Sequence, residues 1–180
     1  MSTSVEIVEV GPRDGLQNED VILSTDQKLH LIDHLIAAGL RRIEAVSFAH
    51  PRHVPQMADA EAVMAGIDRR AGVSYIGLVM NDRGWQRALD AGVDEVNVPI
   101  FATDTFTHRN QGTDIDGGLR MLEGVVDGAR DEGLPITATI GVAWGCPFEG
   151  EVDLDRLTSI AGRVSAMGVT ELALADTIGV

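Results

Sequence analysis

One pattern recurs five times in the sequence and restricts the fold more than any other feature. A polar–apolar stretch with helical spacing ends in Gly followed by Leu or Val, and an apolar, β-branched run comes next. The instances are Ala38-Gly39-Leu40, Ala71-Gly72-Val73, Ala91-Gly92-Val93, Glu132-Gly133-Leu134 and Met167-Gly168-Val169. Glycine just past a helix takes the left-handed backbone at no steric cost, so each instance reads as helix, cap, strand. The runs that follow are Arg42–Phe48, Val73–Val79, Glu95–Phe101, Ile136–Val142 and Glu171–Ala175, and an opening run covers Val5–Val10. The first helix starts at Ser24 or Thr25, residue types that cap helices, and Leu29, Ile32, Leu35 and Ile36 form its apolar stripe.

Six strands alternating with helices imply a parallel sheet of the α/β class. A doubly wound sheet and a (β/α)8 TIM barrel both satisfy that alternation. A barrel gathers chemically useful side chains at the C-terminal ends of its strands. Arg13-Asp14, Glu44 and Ser47, Asn81, Asp104, Cys146 and Asp176 all fall at or near such ends. The turn after the first strand reads Gly11-Pro12-Arg13-Asp14-Gly15, which lacks dinucleotide-binding spacing. The barrel is therefore the expected architecture, a single catalytic domain over residues 1–180. A full barrel needs about 250 residues. The 180 residues supply about six β/α units, so the expectation is a barrel truncated before its C-terminal part.

Composition excludes several classes. A net charge of −14 repels phosphate backbones, so nucleic acid is not an expected partner. No apolar run reaches the ~20 residues that cross a bilayer, so no membrane is expected. The opening Met1–Glu6 has neither a basic nor an apolar leader region, and the single Cys146 allows no intrachain disulfide. A cytoplasmic protein is the resulting expectation.

The densest chemical signal is Gly11-Pro12-Arg13-Asp14-Gly15-Leu16-Gln17-Asn18-Glu19. At a strand end an Asp can bind a hard divalent cation, and an adjacent Arg can stabilise charge developing on a substrate oxygen. An Asp-Gly turn with a surface Arg accounts for the same residues. The nonapeptide resembles the first-strand signature of 3-hydroxy-3-methylglutaryl-CoA (HMG-CoA) lyases, within a wider group of metallolyases that includes isopropylmalate and homocitrate synthases. The Arg-Asp pair is shared by the wider group. Gly11-Pro12 before it and Leu16-Gln17-Asn18-Glu19 after it point to the lyase branch.

Further segments are similar to the same family, in order along the chain. They are Ile43–Phe48 with Val54–Asp59, the Ala102–Asn110 loop with Phe106 and Asn110, the Gly145–Gly150 loop, and Asp176–Val180. The resemblance implies a divalent-metal-dependent lyase that cleaves HMG-CoA, or a close 3-hydroxyacyl-CoA analogue, to acetoacetate and acetyl-CoA. It also implies the settings of leucine degradation and ketone-body metabolism. Mg²⁺ or Mn²⁺ is the implied cofactor, an acyl-CoA the implied partner, and a homodimer or higher homo-oligomer the implied assembly. By the same resemblance Asp14 is a direct metal ligand and Glu44 an outer-sphere one. Arg13 neutralises the enolate, Arg13, Gln17 and Ser47 bind substrate, and Asp176 takes part with Arg13 in catalysis. A His-x-His pair, an Asn and a catalytic Cys are implied beyond Val180. One departure stands out: Thr137-Ala138-Thr139-Ile140-Gly141 replaces an Arg-Gly-Tyr-Val-Ser run, which removes a cation near the implied pocket. A related condensing synthase and a non-catalytic barrel domain are the alternatives.

Other signals carry less. His30 and His34 lie four apart on the first helix without a third ligand, as a solvated face would. His50 and His53 sit in a proline-flanked loop. Cys146 reads as a small residue shaping a Gly-Cys-Pro turn, and Glu149–Asp155 as a solvated loop leading into a helix.

Overall fold

The structure is a computed structural model, and it describes residues 5–180. Met1–Ser4, and with them most of the stretch assessed as a leader, lie outside the described residues. The chain divides into two compact units, Met1–Leu78 with Arg83–Glu95, and Val79–Asp82 with Val96–Val180.

The first unit is built on three parallel strands, β1 (Val8–Glu9), β2 (Arg42–Ser47) and β3 (Ser74–Leu78), with β2 between the others. β1 is shorter than the expected Val5–Val10. Val5 and Ile7 are exposed, and only Val8 and Glu9 find ladder partners, on Arg42 and Ile43. Helix α1 (Thr25–Ala37) starts from a full capping box. The Ser24 hydroxyl accepts the Gln27 N–H, and the Gln27 side chain accepts the Ser24 N–H, satisfying two of the helix's orphan donors. Of the expected stripe, Ile32 and Ile36 are buried and Leu29 and Leu35 half-buried, and Lys28 joins the buried face. Helices α2 (Ala60–Gly66) and α3 (Asp82–Asp90) complete the unit.

The second unit carries the parallel strands β4 (Glu95–Phe101), β5 (Ile136–Gly141) and β8 (Glu171–Leu174), with β5 central. Between them run α4 (Asp104–Gln111), α5 (Ile115–Glu132) and α6 (Leu154–Ala166), and a small antiparallel pair, β6 (Gly145–Cys146) with β7 (Gly150–Glu151). Two segments read as loops are therefore ordered. Asp104–Gln111 is a helix, and the Gly145–Gly150 connection is a hairpin. The Asp153 side chain accepts the Asp155 and Arg156 N–H groups to open α6.

All five glycines of the repeat have positive φ, from 68° at Gly92 and Gly133 to 107° at Gly39. Four close helices. Gly72 does not, because α2 stops at Gly66 and Arg70–Val73 instead makes a turn closed by the Val73 N–H on the Arg70 carbonyl.

Candidate active site

The first strand leads directly into a π turn, Gly11–Gly15, in which the Leu16 N–H reaches back to the Gly11 carbonyl. Such single wide turns are uncommon and often mark functional sites. Glu9 holds its start, its carboxylate accepting the Gly11 N–H at 2.6 Å. A Cβ at position 11 would lie 2.8 Å from the Glu9 oxygen and would displace the carboxylate from that contact.

The turn presents Arg13 and Asp14 side by side. Arg13 Nη1 donates to Asp14 Oδ1 at 2.5 Å, and Arg13 Nε donates to Glu44 Oε1 at 2.6 Å. Glu44 is almost fully buried at 2% exposure, whereas the Asp14 side chain is 53% exposed. A buried carboxylate is tolerated only when paired, so Glu44 fixes the guanidinium as much as the guanidinium neutralises Glu44. One guanidinium thus serves two carboxylates, and the open member of the cluster is Asp14. Oxygen donors of this kind suit a hard divalent ion. Among the described residues no three His, Cys, Asp or Glu side chains gather closely enough to hold a metal. Asp14 thus fits as one ligand of such an ion and not as a whole site.

A β-bulge puts Ser47 beside Glu44. Strict alternation along β2 would send residues three apart to opposite faces. Glu44 pairs with Ile76 and Ser47 with Leu78, and the register shifts between Glu44 and Val46. Ile76 and Leu78 are two apart on β3 and share a face, so Glu44 and Ser47 share one too. Ser47 is fully buried, and its oxygen accepts the Ala49 N–H. Gln17 follows the π turn, half-buried.

Asp176 belongs to the second unit, where it follows β8. Its Oδ1 accepts the Gly179 and Val180 N–H groups at 2.9 and 3.1 Å, so it braces its own turn. The structure thus brings Arg13, Asp14 and Glu44 into direct contact, and Glu44 and Ser47 onto one face.

Lys28 went unread in the sequence. It is buried on α1, and its ammonium donates to the Gln56 carbonyl at 2.5 Å and to Asp59. Thr25 donates to the other Asp59 oxygen, and Gln56 Nε2 to the Glu19 carbonyl. These bonds tie the loop after β2 to α1 and to the segment after the π turn. Burial alone would raise the Asp59 pKa, but the bonds from Lys28 and Thr25 outweigh it and hold the carboxyl below its ordinary value. A signal was present: Lys28, Ile32 and Ile36 are spaced by four, on one line of the helix. His50 and His53 meet edge to face at 5.4 Å, and His50 Nδ1 accepts the Arg52 N–H, which commits that nitrogen to the loop.

In the second unit Cys146 is buried, its sulfur accepting the Thr103 hydroxyl at 3.1 Å, in keeping with a structural turn residue. Glu149, read as part of a solvated loop, accepts the Thr105 N–H at the start of α4, and that bond is the main reason its pKa is lowered. Phe101, Phe106 and Phe148 lie in sequence, at 4.8 and 5.9 Å between rings, with the Arg109 guanidinium 4.1 Å over Phe148.

The model of the HMGL-like family matches residues 4–180. Among curated proteins, a cytoplasmic 3-hydroxy-3-methylglutaryl-CoA lyase of Danio rerio is 46% identical over 98% of this chain and 52% of its own length. A mitochondrial hydroxymethylglutaryl-CoA lyase of Rattus norvegicus is 43% identical over 98% of this chain and 54% of its own. The chain thus spans about half the length of the curated relatives it matches. Among solved structures, the HMG-CoA lyase of Bacillus subtilis superposes with a TM-score of 0.96 at 39% identity, over 99% of this chain and 60% of that one. An HMG-CoA lyase of Acinetobacter baumannii, in complex with coenzyme A and 3-methylmalate, gives 0.93 at 33% identity, over 97% and 57%. The fold is accordingly the TIM-barrel fold of these lyases, represented by six parallel strands and the helices that connect them.

Proposed function

This chain belongs to the HMGL-like family, and from that premise we propose that the whole protein is a divalent-metal-dependent carbon–carbon lyase. Its substrate is 3-hydroxy-3-methylglutaryl-CoA or a close 3-hydroxyacyl-CoA analogue, cleaved to acetoacetate and acetyl-CoA. The observation that carries the reading is the Arg13–Asp14–Glu44 cluster, set at the end of β1 in a chain 46% identical to a curated lyase. Residues 1–180 are read as part of one catalytic barrel domain. A homo-oligomer in the cytoplasm, with no nucleic-acid or membrane partner, completes the proposal. Among the described residues no helix is long and apolar enough to cross a membrane.

Cleavage needs the tertiary hydroxyl to lose a proton and the thioester side to accept an electron pair. Mg²⁺ or Mn²⁺, with Asp14 as one ligand, would supply the charge that makes the hydroxyl acidic. Arg13 is built for the other half. Its Nε and Nη1 are already committed to Glu44 and Asp14, so the plane of the guanidinium is fixed before substrate arrives. A donor held in that way stabilises an enolate oxygen without having to reorganise, which is where such groups gain most of their effect. Glu44 acts through Arg13, as an outer-sphere group near the ion. Gln17 and Ser47 are proposed to orient substrate, and Asp176 to act with Arg13 at the reacting centre.

The test is an acetoacetate assay on the whole purified protein, with Mg²⁺ or Mn²⁺ and after exhaustive EDTA treatment. Metal-dependent acetoacetate release is expected. Turnover that survives complete metal removal would overturn the metal role, and release only from unrelated thioesters would overturn the substrate.

A further inference from the structure

We propose that the Thr177 hydroxyl is a positioning group for this reaction. It captures a backbone amide that a bulge at the end of β5 leaves without a ladder partner, and so fixes the turn that carries Asp176. The inference rests on the lyase reading above.

The bulged residue is Val142. Its φ is +49°, the one positive value among the described non-glycine residues. A β-branched side chain is strongly disfavoured there, so neighbouring contacts must hold the conformation in place. The hydrogen bonds show how. Ala175 donates its N–H to the Ile140 carbonyl at 2.9 Å. In a regular parallel ladder the Ala175 carbonyl would then receive the N–H of Val142, two residues on. It receives the Ala143 N–H instead, at 3.1 Å. One extra residue therefore stands just past β5, at the place where many bulges use a left-handed glycine. Val142 is fully buried, so its displaced N–H has no recourse to water. The Thr177 Oγ1 accepts it at 2.8 Å.

That bond crosses from the end of β5 to the residue after Asp176. Asp176 Oδ1 in turn accepts the Gly179 and Val180 N–H groups. The Asp176 turn is thus clamped on one side by its own carboxylate and on the other by the bulge. Without the hydroxyl, Val142 has a buried, unsatisfied amide and a strained backbone, and both are relieved by moving away from the turn. The Asp176 carboxylate shifts with that movement.

The test is a double-mutant cycle on the whole protein, read as kcat and KM for the acyl-CoA. Thr177→Val should lower kcat by roughly tenfold or more while KM changes by less than about twofold, as a misplaced reacting group does. Thr177→Ser keeps the oxygen and should restore the rate. In a Val142→Gly background the strain is gone and only the orphaned amide remains, so Thr177→Val should lower kcat by clearly less than it does with Val142 in place, a coupling expected only if the two residues act as one device. An undiminished loss in that background would assign Thr177 to direct substrate contact and overturn the proposal. So would a kcat for Thr177→Val within about twofold of wild type. If the wild-type protein shows no lyase turnover, the functional reading fails, and hydrogen exchange at the Val142 amide decides the clamp. Faster exchange in Thr177→Val than in Thr177→Ser supports it, and equal exchange overturns it.

Discussion

Two guanidinium–carboxylate networks start two residues apart on β2, and they are put to different uses. Arg42 grips Glu95 with two parallel bonds, Nε to Oε1 at 3.1 Å and Nη2 to Oε2 at 2.6 Å, and donates Nη1 to Glu6 at 3.0 Å. Ser74 adds a bond to Glu95. Its Arg42–Glu95 pair is forked and shielded, with side chains 14% and 9% exposed, and Glu6 takes the third guanidinium nitrogen from the solvent side, 62% exposed. The network on Glu44 spreads one guanidinium over two carboxylates and leaves Asp14 half in solvent. A pair that engages both carboxylate oxygens organises a strand end, whereas Asp14, held through Oδ1 and half in solvent, is placed to take a further ligand. Position along the strands agrees, since the N-terminal ends of barrel strands serve stability and the C-terminal ends serve chemistry.

The sharpest way to break the comparison is to substitute both arginines. Arg42→Ala strands Glu95 with its charge mostly buried, and should cost about 3–5 kcal/mol of stability in denaturant titration. Replacing both partners, Arg42→Met with Glu95→Leu, should recover most of that loss, because no buried charge is left unpaired and the exposed Glu6 keeps its contact with water. Equal instability of the single and double variants would show that the network does more than stabilise. Arg13→Lys should behave in the opposite way. It keeps the charge and loses the planar fork, so the fold and metal content should survive while kcat falls by roughly a hundredfold or more.

Asp14→Asn sharpens the assignment within the open network. Metal affinity should fall first, and excess Mg²⁺ or Mn²⁺ should restore part of the activity. Equal metal loss in the Arg13 and Asp14 variants, measured by elemental analysis, would show that their roles are not separable. A smaller effect is expected at the capping box, where Ser24→Ala should cost about 1 kcal/mol in thermal or denaturant unfolding and leave kcat alone.

The smallest effect tests a third ion pair, Lys28–Asp59. The folded-state pKa of Asp59 lies below its ordinary value, so its contribution is present at neutral pH and is lost as pH falls through the folded-state pKa. The stability difference between wild type and Asp59→Asn should therefore be flat near neutrality and shrink below about pH 4. A difference that grows on acidification would contradict the bonding described for Lys28 and Thr25.

Much of the fold was legible because glycine and β-branched residues act locally. Five glycines of the repeat take the left-handed backbone, and the strand at Glu95–Phe101 begins and ends where its apolar run does. The errors have local causes as well. Val5–Val10 looks like a strand by composition, but a strand also needs partners, and only Val8 and Glu9 have them. Asp104–Gln111 is polar enough to pass for a loop, yet it is a helix closed by Gly112 with φ of 71°.

The sequence by itself determined the order of strands and helices, the capping signals, and the adjacency of Arg13 to Asp14, all properties of short stretches of chain. Tertiary structure decided which charges close on one another. Glu44 meets Arg13 across 31 positions, and Lys28 meets Asp59 across the same separation. The β2 bulge turns Ser47 to the face of Glu44, and Thr177 answers an amide orphaned 35 residues earlier. None of these follows from periodicity. A bulge shifts register by one residue, and a buried polar group takes whichever partner the packed chain brings within hydrogen-bond reach.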